Sequence, residues 1–175
     1  MTHKQAFVCW WTQALEALQK APELADVAAL ALERGEGLLA SPDLMASMVR
    51  AVCGQQVSSA AAKAMSSKVL QAAGCAAGQE LAQRLAALGE ERLRLLGLSK
   101  TKAQALAGLS ELYLQGTLAP ERVGRLADAE IMDVLTSVKG VGPWTAHMIL
   151  IFGLGRPDVW PAGSSPFCIF ERNCL

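Results

Sequence analysis

Apolar residues recur three and four positions apart through most of the chain, the period of helices buried along one face. Phe7, Trp11, Ala14, Leu15 and Leu18 form one stripe; Leu24, Val27, Ala28, Ala31 and Leu32 form the next. A third stripe, Leu44, Met45, Met48, Val49 and Val52, comes after Ser41-Pro42, which reads as a cap and a first-turn proline. Gly54 breaks this pattern, and Ser58 or Ser59 caps an alanine-rich helix running through Val69 and Leu70 to Gly74. Further helices are expected over residues 79–88, 91–96 and 101–115. Gly97 and Gly116 serve as left-handed stops, and Ser99 as a cap for the last of these helices. Asp128 is placed to cap residues 129–136. No alternating run of β-branched residues predicts a strand. The chain reads as all-α, built from many short helices.

After Phe152 the pattern changes. Pro157, Pro161 and Pro166 forbid a regular helix over most of the remaining residues, and residues 164–175 show neither helical nor strand period. This divides the chain into a helical domain over 1–163 and a divergent, non-helical tail. At 175 residues and 52% hydrophobic, the chain can bury a sizeable core in one domain or two small lobes. A disordered chain is excluded. No uninterrupted run of about 18 apolar residues offers a membrane span, and the N-terminus lacks the apolar core of a secretory signal. Five cysteines without paired spacing and two histidines make a zinc or iron–sulfur site improbable. Reduced thiols in a cytoplasmic protein are the expectation. Sixteen basic residues balance sixteen acidic ones, so any nucleic-acid binding must rest on local geometry rather than bulk charge.

Residues 135–150, LTSVKGVGPWTAHMIL, are the most informative stretch. A helix ends, a turn with Gly140 and Gly142 around Val141 comes next, and Pro143 opens a second helix. Such a turn leaves backbone N–H groups without partners at the positive end of a helix dipole, which suits a phosphate. Lys139 adds a charge there. The alternative is a plain helix-turn-helix joint, which needs glycines for the same conformational reasons.

The chain resembles the helix-hairpin-helix DNA glycosylases, in particular the 3-methyladenine (alkylbase) type. The match is carried by MVRAVCGQQVSSAAAKAM from Met48, LGLSKTKAQAL from Leu96, LTSVKGVGPWTAHMILIFGLGRPDVWPAG from Leu135, and the order of these stretches. The resemblance implies a two-lobed all-α fold with a cleft beside the hairpin, and C-terminal helices that this chain lacks. It implies that Gly140, Val141, Gly142, Trp144 and Thr145 lie against the DNA backbone, with Lys139 beside them. It implies that the main-chain carbonyls of Thr136, Val138 and Val141 hold a monovalent cation, the one cofactor in view. Gln56 matches the residue that wedges into the duplex where the damaged nucleotide leaves. Trp144 and Trp160 are the candidates for stacking an electron-poor alkylated base. His147 suits a packing or DNA-facing role.

Two departures bear on chemistry. Bifunctional relatives carry a Schiff-base lysine where this chain has Trp144, so no lyase step is expected. The family's catalytic aspartate falls at Ser164, which cannot stabilise an oxocarbenium-like sugar. The resemblance implies that Asp158 matches a different family aspartate, a structural one. The expectation is therefore a monofunctional base-excision repair hydrolase by ancestry, weak or inactive in this copy. It would act as a monomer on double-stranded DNA with alkylated bases, without a membrane. A non-catalytic DNA-binding module and a helical protein-interaction domain are the alternatives.

Overall fold

In the computed structural model, residues 12–34 and 41–161 are described. Their order is α1 (residues 12–18), α2 (Ala25–Glu33), α3 (Leu44–Cys53), α4 (Ser59–Ala72), α5 (Gly78–Leu95) and α6 (Lys100–Leu114). Then come α7 (Pro120–Val123), α8 (Asp128–Thr136), α9 (Pro143–Met148) and a π-helical turn (Ile149–Gly153). No strand occurs among the described residues. The expected gap between residues 88 and 91 is real, because Gly89 breaks α5 with φ 70° and ψ 171°. Phe7, Trp11 and the tail 164–175 lie outside the described residues.

Two caps sit elsewhere than the sequence pattern places them. α3 is capped by Asp43, not Ser41. One carboxylate oxygen of Asp43 accepts from the amides of Met45 (2.9 Å) and Ala46 (3.2 Å), and the other from Gly78 at the start of α5 (3.0 Å). A serine hydroxyl could not join both helices at once; that of Ser41 donates to the Asp43 carbonyl instead (2.9 Å). At α8, Ala127 holds the cap position and its amide donates to Glu130 Oε2 (2.8 Å). Asp128 is freed to pair with Arg156 (3.2 Å).

The core centres on α3. Met45, Met48, Val49 and Val52 are fully buried there, against Leu81 and Leu85 of α5, Leu106 and Leu109 of α6, and Leu135, Ile149 and Leu150 around the hairpin. The stripe on α2 contributes little, since only Ala28 is buried while Leu24 and Val27 remain exposed. Beyond the π turn the chain is pinned by Arg156. Its Nη2 donates to the carbonyls of Val123 (3.0 Å) and Leu126 (2.9 Å).

At the end of α3, Lys102 from α6 is buried and its Nζ donates to the Cys53 carbonyl (2.8 Å). It thereby satisfies one of the orphan acceptors of a helix end with a cation. Burial pushes the Cys53 thiol up from 9.0 to about 11, with the Lys102 ammonium pulling the other way. The protonated thiol therefore stabilises the fold below pH 9, and that contribution is lost as pH rises through about 11. It amounts to something on the order of 3 kcal/mol. Burial also holds Lys102 below its ordinary value, which acts in the opposite sense over the same alkaline range. Denaturant titrations under reducing conditions between pH 8 and 11 should thus show a shallower alkaline fall for Cys53→Ala than for the unsubstituted chain.

Candidate nucleic-acid interface

α8 ends at Thr136 and α9 begins at Pro143, with residues 137–142 between them. Val141 sets the shape of this turn. It is buried, as is Val138, and its amide donates to the Val138 carbonyl (3.0 Å). With the apolar residue drawn inward, Lys139, Gly142 and Pro143 are left exposed at the tip. The amide of Ala146 closes the first turn of α9 on the Gly142 carbonyl (3.0 Å). The amides of Lys139, Gly140, Gly142 and Trp144 meet no protein acceptor among the described residues. Those of Gly142 and Trp144 are donors that the start of a helix leaves over, and those of Lys139 and Gly140 belong to the turn before it.

The two glycines are needed for different reasons. Gly140 has φ +90°, and a Cβ there would stand 2.7 Å from the Thr101 carbonyl oxygen and 3.3 Å from Ala105 Cβ. Close seating of the turn on α6 thus requires it. One turn further along α6, Gly108 makes room for Val138, which a Cβ would meet at 2.7 Å. Gly142 is in ordinary extended backbone (φ −92°, ψ 174°), and nothing lies within 4 Å of where its Cβ would be. Neither conformation nor packing calls for glycine at that position. Its effect is to leave the main chain bare toward solvent.

Gln55, which the sequence pattern marks only as a polar residue in a turn, is central here. Its Nε2 donates to the Gly140 carbonyl and to Thr145 Oγ1, each at 2.9 Å. Thr145 is buried and its hydroxyl faces Gln55 rather than solvent. The adjacent Gln56 is exposed, with a left-handed φ of +52°. The only sequence signal for Gln55 was its place beside Gln56; the pairing spans 85 positions and needs the fold to be seen.

Of the remaining candidates, Trp144 is half-buried at the start of α9. Trp160 is 84% exposed and Asp158 is exposed, so neither is built into a closed pocket by the described residues. His147 is half-buried, and its buried Nδ1 meets no hydrogen-bond partner among the described residues. Ser164 lies outside the described residues. Among the described residues the carbonyls of Thr136 and Val141 accept no backbone amide, while that of Val138 receives the Val141 amide. No cluster of three or more His, Cys, Asp or Glu suited to a metal occurs among the described residues. No helix among them is long and apolar enough to cross a membrane.

The profile of the HhH-GPD superfamily base excision DNA repair proteins matches residues 49–163, from the body of α3 through the hairpin to the segment after Trp160. The chain belongs to the HhH-GPD superfamily. Among curated HhH-GPD relatives, DNA-3-methyladenine glycosylase 1 of Schizosaccharomyces pombe is 34% identical over 117 residues, which is 66% of this chain and 50% of that protein. DNA-3-methyladenine glycosylase 2 of Escherichia coli is 34% identical over 119 residues, 64% of this chain and 42% of the relative. The solved structure of the S. pombe 3-methyladenine DNA glycosylase in complex with abasic DNA superposes with a TM-score of 0.62. It has 29% identity and covers 71% of this chain and 61% of that one. The chain spans half the length or less of the two curated relatives. The HhH-GPD fold accounts for the all-helical order.

Proposed function

We propose that this chain binds double-stranded DNA through the hairpin and turns an alkylated purine of the 3-methyladenine type out of the helix. On this reading its ancestral reaction is hydrolysis of the N-glycosidic bond. The observation that carries it is the tip itself: unpaired amides at Gly140, Gly142 and Trp144, with no side chain at Gly142 to hold a phosphodiester away. The Val141 amide is engaged within the turn, so Val141 serves as the inward anchor rather than as a donor. Lys139 supplies a local charge, which matters in a chain of zero net charge. On this reading the exposed Gln56 is the wedge that enters the vacated stack, and the half-buried Trp144 is the aromatic face that meets the extruded base. Trp160 joins that face on the same reading.

The free carbonyls of Thr136 and Val141, with that of Val138, fit a monovalent cation as neutral oxygen donors. An ion held there would add positive charge beside the bound phosphate. Relatives named as 3-methyladenine glycosylases support the substrate class. Ser164 at the family's aspartate position favours a chain that grips and extrudes but hydrolyses weakly or not at all. The same reading has it acting as a monomer in the cytoplasm.

The test is duplex binding by the unsubstituted chain and by Gly142→Ala across a salt series. The expected result is affinity that falls steeply with salt, and that Gly142→Ala weakens about tenfold without change in melting temperature. A methyl group at this open position has nothing in the protein to clash with. Salt-independent or absent binding would leave a helical protein-interaction domain as the better reading.

A further inference from the structure

The turn carrying Gln56 is held to the hairpin by one neighbouring side chain. Both observed hydrogen bonds of the Gln55 carboxamide nitrogen go to the hairpin, one to the turn at Gly140 and one to α9 at Thr145, each at 2.9 Å. The same turn is fixed from behind by Lys102 Nζ on the Cys53 carbonyl. Gln56 directly follows these ties in a left-handed backbone conformation that residues with side chains rarely adopt, and it persists only where surrounding contacts impose it. We infer that Gln55 is a positioning residue that sets the register between the phosphate-gripping tip and Gln56. The side chain entering the duplex then arrives opposite the nucleotide whose backbone is held. This rests on the function proposed above and deepens it, because grip and extrusion become one mechanical unit joined through a single carboxamide.

A primary amide nitrogen offers two hydrogens, and here each has an acceptor in the hairpin. Leucine keeps the volume of the side chain and removes both donors. Thr145→Val removes one acceptor and leaves the other.

The probe is a duplex with 2-aminopurine as the target nucleotide, whose fluorescence rises when it leaves the stack. Its affinity is measured alongside that of an unmodified duplex, with melting temperatures for every variant. Gln55→Leu is expected to lower the extrusion equilibrium about tenfold more than it lowers affinity for unmodified duplex. Thr145→Val should shift both in the same direction by less, and it serves as the readout should Gln55→Leu fold poorly. The double variant Gln55→Leu/Gln56→Ala should extrude no worse than Gln56→Ala alone, since the first residue acts through the second. Additive losses in the double variant, or equal losses of extrusion and plain affinity, would overturn the inference. Failure of the unsubstituted chain to bind duplex in a salt-dependent way would overturn the proposed function and this inference with it. Normal salt-dependent binding with an unaffected Gln55→Leu would overturn the inference alone.

Discussion

Gly140→Ala is expected to destabilise the protein by about 3 kcal/mol, combining left-handed strain with a steric conflict against main chain. The residue has φ +90°, and its new Cβ would stand 2.7 Å from the Thr101 carbonyl oxygen and 2.9 Å from Thr101 Cγ2. A flexible side chain could swing aside, but a carbonyl in the first turn of α6 cannot move without disturbing that helix. The turn must instead lift from α6, which also takes Val138 away from Gly108 and stretches the bond from Gln55 to the Gly140 carbonyl. Calorimetry should show a melting temperature lowered by roughly 6–12 °C for a domain of this size. Gly142→Ala, two positions away in ordinary backbone and open space, should leave it unchanged. A Gly140→Ala protein as stable as the parent would mean that the turn does not sit on α6 as described.

Ser164→Asp is expected to raise release of 3-methyladenine from methylated duplex DNA by about 10²–10³-fold over the unsubstituted chain, the usual scale for one preorganised electrostatic group. The leaving base is already cationic, so little general-acid help is needed. What the reaction lacks is negative charge facing the developing oxocarbenium sugar and a group to orient water. On the reading proposed above, Ser164 takes the position of the family's carboxylate, and a serine can do only the second of these. The hairpin and Gln56 are untouched by this substitution, so on the proposed reading duplex affinity should change little while turnover rises. Robust release by the unsubstituted chain would show that another carboxylate already performs this task.

The helical order was legible because its signals are local. Ser58 and Ser99 cap the helices expected of them, and Gly74, Gly97 and Gly116 take positive φ at helix ends. The caps that moved did so through contacts between elements. Asp43 was preferred to Ser41 because its second oxygen reaches Gly78, and Asp128 was drawn off its expected role by Arg156. Neither bond leaves a periodic trace. The stripe on α2 failed for a related reason: an apolar row shows that a helix can be buried, not that anything lies against it. At the hairpin, the glycines could be found by spacing, yet spacing could not tell which served packing and which left the backbone bare. That distinction needed the position of α6. Gln55 was overlooked because a glutamine in a turn looks solvated until its distant partners are known.

The guanidinium of Arg156 has a topological consequence. Because it fastens to the carbonyls of Val123 and Leu126 and to the Asp128 carboxylate, the chain leaves and returns to the same spot between these points. The excursion it closes contains all of α8, the tip and α9. A ring of this kind resists piecemeal fraying, since loosening either stem strains the shared knot, and its amides should exchange with solvent as one cooperative block. Cutting the knot would leave the hairpin attached by its apolar footing and the two bonds from Gln55.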